Sequence, residues 1–144
     1  MPSKGPAEPL QHAIYAALMS SADVRAVFGS VPPRIFDTVP SDVFPRITLG
    51  DDQILDDSHC EAAFEANCTV HVWSRSSKRG KTEAKDIGDA VIAALSSQLA
   101  IAGFVHVFDA SDPDFQSAQY FYEPDGLTAH GVLVFRFMID QAIS

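Results

Sequence analysis

Four groups of residues in this sequence have types and spacings that could support chemistry. The first is His59-Cys60 together with Cys68-x-x-His71, which are zinc-ligand types. A structural zinc ion needs four such ligands on a tight frame. On a regular strand Cys68 would face with Val70 and Val72, and His71 would face the other way. The paired C-x-x-C knuckles are also missing, so these residues read as core cysteine and surface histidine. The second group is acidic: Asp51, Asp52, Asp56, Asp57 and Glu61. Carboxylates can hold Ca²⁺ or Mg²⁺, but the alternation and central glycine of an EF-hand loop are absent. The cluster reads as a solvated acidic loop, with an electrostatic docking surface as the alternative.

The third group would serve nucleophilic catalysis, which needs a Ser or Cys beside a His and an orienting acid. The histidines are His12, His59, His71, His106 and His130, and no serine sits in a G-x-S-x-G elbow. Arg79-Gly80-Lys81-Thr82 matches only the tail of a phosphate-binding loop, whose first glycine is missing. The sequence therefore assigns no catalytic residue, no metal and no cofactor, and the expectation is that the protein is not an enzyme. The fourth group is a basic segment. Arg75, Lys78, Arg79 and Lys81 are four of the chain's ten Lys and Arg residues. It reads either as a solvated turn or as a contact for an acidic partner. No aromatic residues interleave with it to stack nucleic-acid bases.

The elements that must position these groups follow from periodicity. Residues 1–8, rich in Pro, Gly and Ser, read as a flexible arm, and 9–144 as one domain. Leu10, Ile14, Ala17 and Leu18 form a helical stripe that opens at Pro9. Asp23 can cap a short second turn that Gly29 stops. Short strands are expected at 34–37 and 46–50, a loop at 51–59, and a strand at 63–74. Thr82 is the expected cap of a helix whose Ala84, Ile87, Val91, Leu95 and Leu99 share one face. Strands at 104–108, 115–122 and 127–139 then read as an antiparallel meander. In the last of these, Leu133, Phe135, Phe137 and Ile139 face one way, and Val132, Val134, Arg136 and Met138 the other. The fold class is α+β: an antiparallel-dominated sheet with two main helices on one face.

The totals narrow the function class. At 144 residues and 47% apolar composition, one core is affordable without disulfides. Two cysteines, Cys60 and Cys68, read as free thiols of a reducing compartment. A net charge of −9 opposes a general grip on phosphate backbones. No run approaches the ~20 apolar residues of a membrane helix, and no signal-peptide core is present, so the expected site of synthesis is the cytoplasm.

Together the segments LQHAIYAAL, DVRAVFG, RIFDTVPSDVFPRITLG, CTVHVWSRSSKRGKTEAKDIGDAVIAAL and DGLTAHGVLVFRFMI cover most of the chain. In that order they resemble the tail-terminator family of long-tailed phages and gene transfer agents, also called tail-completion or head–tail joining proteins. The VHVWSR strand, basic turn and Ile/Val/Leu helix carry most of the likeness. Pro32-Pro33 stands where a glycine is more familiar.

The resemblance implies a virion part made in the bacterial cytoplasm. It implies a ring, six-fold in the family, on the head-proximal end of the tail tube. There it would end tube polymerisation and meet the head connector or stopper. The implied partners are other copies of the chain, the tail tube protein and the connector, with DNA only in transit and no membrane. Alternatives are another connector or tail tube component, or a small metal-dependent hydrolase or nuclease using the acidic cluster. The candidate protein contacts are Arg75, Lys78, Arg79, Lys81, Asp51, Asp52, Asp56, Asp57, Trp73 and Arg136.

Overall fold

The computed structural model of the chain describes residues 5–38, 43–56 and 64–142. Helix α1 spans Ala7–Ser20 and α2 Ala22–Phe28. Strands β1 (Ile35–Phe36), β2 (Arg46–Asp56) and β3 (Phe64–Ser74) follow. Then come α3 (Lys81–Ala94), β4 (Phe104–Val107), β5 (Phe115–Tyr122) and β6 (Ala129–Gln141). The α+β expectation holds, with three helices where two main ones were expected.

Helix α1 begins two residues before the expected start, so Ala7 and Glu8 belong to it and not to an arm. Pro9 still falls in the first turn, where the backbone N–H groups have no helical partner. The cap of α2 is Ser21 and not Asp23: the Ser21 hydroxyl accepts from the Val24 N–H at 3.1 Å. Gly29 ends that helix at φ 67°, a conformation that glycine adopts without a Cβ penalty. Helix α3 is capped by Gly80, and Thr82 lies inside it. The Ser74 hydroxyl donates to Glu83 in the first turn, tying the helix entry to the end of β3.

The sheet runs β1-β2-β3-β6, and β4 and β5 share the remaining edge of β6. All pairings are antiparallel except β1 with β2. The expected meander is therefore incorrect. β5 pairs residues 129–135 of β6 and β4 pairs 138–141, so the two lie end to end along one strand. A thirteen-residue β6 is long enough to hold both, which sequence spacing alone does not reveal.

The larger correction concerns the acidic segment. Asp51, Asp52 and Asp56 are not in a loop but in β2, which continues past an irregularity between Leu49 and Asp52 to pair Asp56 with Phe64. Aspartate is a poor strand former, and pairing with β3 overrides that local preference. Asp57, His59, Cys60 and Glu61 lie outside the described residues.

The core fills the space between the helices and one sheet face. Leu133, Phe135, Phe137 and Ile139 of β6 are buried with Val70 and Val72 of β3 and Ile47 of β2. Ala84, Ile87, Val91 and Leu95 of the α3 stripe are buried against them, as are Leu10, Ile14 and Leu18 of α1. Tyr120 of β5 is wedged between α3 and β6. A Cβ added at Gly88 would lie 1.9 Å from its hydroxyl, and one at Gly131 would lie 2.8 Å from its ring.

Candidate functional site

No described helix packs on the opposite sheet face. Register places Leu55 of β2, Val105 and Val107 of β4, and Val132, Val134 and Met138 of β6 on this face. Val105, Val107 and Leu55 are 43%, 47% and 41% exposed. Arg136 stands among them, half exposed, with its Nε 3.2 Å from Glu65 of β3. That pair is a diagonal neighbour across the strands, a position within reach of long side chains. The face thus mixes these apolar side chains with Asn67, Thr69, Ser117, Gln119 and the Arg136–Glu65 pair. A mixed, part-exposed face of this kind has the make-up of an ordinary protein contact surface.

The charged candidates sit at different places along the sheet. Arg46 pairs with Trp73 at one end of the β2–β3 ladder and Asp56 with Phe64 at the other. At ~3.3 Å per residue the two ends are about 30 Å apart. The basic segment and the far acidic residue therefore cannot meet within one subunit. The basic segment is also largely answered in place. Arg75 donates to Thr128 at 2.9 Å and pairs with Asp125, and Arg79 pairs with Asp86. The Lys81 ammonium lies 5.6 Å from the centre of the Tyr122 ring. Lys78 is exposed.

The sequence model of the family described as "Tail completion protein gp17" matches residues 12–140. The chain belongs to that family. It has a structural role in a phage-type tail. No curated protein sequence matches the chain. Among solved structures, one chain from the "Virion of native gene transfer agent (GTA) particle" is similar in fold, with a TM-score of 0.78 and 23% identity. The match covers 96% of this chain and 99% of that one. The likeness to the tail-completion family seen in the segments is thereby confirmed.

Of the contact candidates in this tail completion family member, Trp73 is already engaged by its own chain. Its ring stacks on His130 at 3.8 Å and its indole N–H donates to Thr48 at 2.9 Å. The Arg46 guanidinium lies 4.9 Å from that ring and 4.5 Å from Phe44. The Arg75 guanidinium also lies over the Phe44 ring, 4.4 Å from its centre. These stacked cations fix the end of the sheet where the basic segment leaves it.

Sequence reasoning missed two clusters. His71 Nδ1 lies 2.7 Å from His130 Nε2, and His130 Nδ1 lies 2.6 Å from Glu123. Burial lowers the His71 pKa, and His130 adds to this, while Asp51 and Glu123 act the other way. The second cluster is buried. His106 accepts from the Leu99 N–H at 2.8 Å through Nδ1, and its Nε2 meets Asp114 at 2.9 Å. This ties the 95–101 connection to β4 and to the segment before β5. Burial raises the Asp114 pKa above its ordinary value, partly offset by His106. Strand register brings His71 to His130, and the path of the loops on either side of β4 brings Leu99 and Asp114 to His106, so no motif in the sequence signals either cluster.

Cys68 is buried beside Asp52, its ladder partner. Burial first, and then the Asp52 charge, push its thiol pKa up, so it is held as the inert thiol. His71 faces away from Cys68, as strand alternation required. Among the described residues no group of three His, Cys, Asp or Glu could hold a metal ion. No described helix is long and apolar enough to cross a membrane.

Proposed function

We propose that the chain closes into a ring, six-fold as in the family it resembles, at the head-proximal end of a phage-type tail tube. The ring ends tube polymerisation and joins the tail to the head connector, and DNA crosses it only in transit. It is made in the bacterial cytoplasm and ends in a virion or gene-transfer-agent particle at the head–tail junction. It performs no catalytic step. The observation that carries this reading is the family match over residues 12–140.

The open sheet face supports the reading physically. A ring subunit makes head-to-tail contacts with two neighbours, and closure prevents an open filament. Two contacts of ~800 Å² each would cover roughly a fifth of the 8183 Å² surface. Val105, Val107, Val132, Val134 and Met138 supply apolar area for one of them. The separation of Asp56 from the basic segment suits contacts between different subunits.

Native mass spectrometry and negative-stain imaging of the protein, alone and mixed with purified tail tubes, test this. The expected result is a closed ring, free or capping the tubes. A protein that stays monomeric beside tubes would overturn the proposal. Long tubes built from this chain alone would assign it to the tube instead.

A further inference from the structure

The hydrogen-bonded chain Glu123–His130–His71 is not needed for a ring contact, and its geometry restricts how many protons it can carry. We propose that it is a proton-counting clasp between β6 and β3, which holds the His71 ring and the Trp73–His130 stack in place with zero or one added proton and releases them on the second.

The argument is one of donors and acceptors. An ionised Glu123 can only accept, so His130 Nδ1 must carry a proton. With both rings neutral, His71 Nδ1–H then donates to His130 Nε2 across 2.7 Å. One added proton leaves both bonds intact. It resides either on the outer nitrogen of His71 or on His130 Nε2, which then donates back to His71. A second proton makes both rings imidazolium, with an N–H on each side of the 2.7 Å gap. The bond is lost and two cations face each other without a lone pair between them.

Little nearby can absorb that second charge. Facing His71 are Asp51 of β2, His130 of β6 and Glu123 at the end of β5. Of the two carboxylates, Glu123 is already bonded to His130. The ring cannot slide away on the β2 side, because a Cβ at Gly50 would come within 2.6 Å of it. Trp73 closes the stack above His130, with Arg46, itself a cation, on the far flank of the indole. Phe121 borders His130 at 4.9 Å. The turn before β6 stays tied, because Glu123 remains on His130 and Arg75 still bonds Thr128 and Asp125. Relief comes from the His71 ring and the Trp73–His130 stack beside it.

Trp73 is the only tryptophan in the chain, so it reports the stack directly. The experiment is a titration of the full chain from pH 8 to 4. It is followed by Trp fluorescence and by long-range ¹H–¹⁵N NMR of the histidine rings. The expected result is two stepwise proton uptakes by the coupled ring pair, separated by more than ~1 pH unit. The first should leave the emission maximum in place. The second should shift it to the red as the indole loses its cover. In His71→Phe the second uptake and the red shift should both vanish. If that variant does not fold, the wild-type ring-nitrogen shifts decide. Independent titration of the two rings within one pH unit would overturn the proposal. So would a second uptake that leaves Trp73 unmoved, or a red shift that persists in a folded His71→Phe.

Discussion

Gly88→Ala places a methyl group where Tyr120 already stands. The new Cβ would be 1.9 Å from the Tyr120 hydroxyl, 2.9 Å from Cζ and 3.2 Å from Cε1. The ring cannot retreat, because its other side rests on Gly131. In an open helix the same change would stabilise by about 1 kcal/mol. Here overpacking costs ~1–3 kcal/mol, so the net effect is a loss of up to about 2 kcal/mol. Tyr120→Phe acts in the opposite direction. It removes a buried hydroxyl with no hydrogen-bond partner among the described residues. It should be neutral or stabilising by about 1 kcal/mol. In the double variant the closest contact relaxes to the 2.9 Å of Cζ, which still requires a small shift of the ring, so only part of the cost is recovered. The expected coupling is ~1–2 kcal/mol, or about 3–6 °C in Tm at ~3 °C per kcal/mol for a chain of this size. Urea melts of the four proteins, read from Trp73 fluorescence at constant m-value, measure it. Additivity within ~0.5 kcal/mol would refute the wedge, as would a stabilised Gly88→Ala single variant.

Val107→Arg on the open sheet face should leave subunit stability within ~0.5 kcal/mol, since the site is half exposed. It should abolish ring formation in native mass spectra, and rings that persist would take that face out of the interface. Reversing Arg79 and Lys81 to Glu should cost the fold no more than ~1 kcal/mol, because the Arg79–Asp86 pair is at the surface. It should weaken co-sedimentation with tail tubes, and unchanged binding would remove the basic segment as a contact. Ser21→Ala loses the cap of α2 and should lower stability by about 1 kcal/mol in urea melts. Asp114 has a raised folded-state pKa, so the folded chain holds that proton more tightly than the unfolded chain. Its contribution is fully present below the ordinary value of 3.8 and is lost as pH rises through the raised one. The difference in urea midpoint between wild type and Asp114→Asn should change across that window and be flat above it.

The α3 stripe and the two faces of β6 were legible because their periods, 3.6 and 2, survive intact in the sequence. The same alternation correctly separated Cys68 from His71. Segment 51–56 was not legible. Four of its six residues are Asp or Gln, and only the ladder to β3 makes it a strand. The shared edge of β6 was hidden for a related reason. Local patterns give strands, but partners are chosen by sheet-wide packing. The basic segment looked denser in sequence than in space, because Asp86 and Asp125 come to it from α3 and from the turn before β6. Trp73 was expected to be a protein contact, yet its cover is His130 of its own chain, a partner set by register alone.

Strand β6 is hydrogen-bonded on both edges, to β3 along one and to β5 and β4 along the other. Among the described strands it is also the last to be synthesised. Until residues 129–141 have left the ribosome, β3 lacks its inner neighbour and β4 and β5 have no described strand to pair with. The pairing of Phe64 with Ile139 closes a span of some seventy residues, a long-range contact of the kind that slows folding. The nascent chain therefore presents its helices before the sheet that buries them is complete. A surface built on β6 exists only once residues 129–141 have been made, so shorter nascent chains cannot present it.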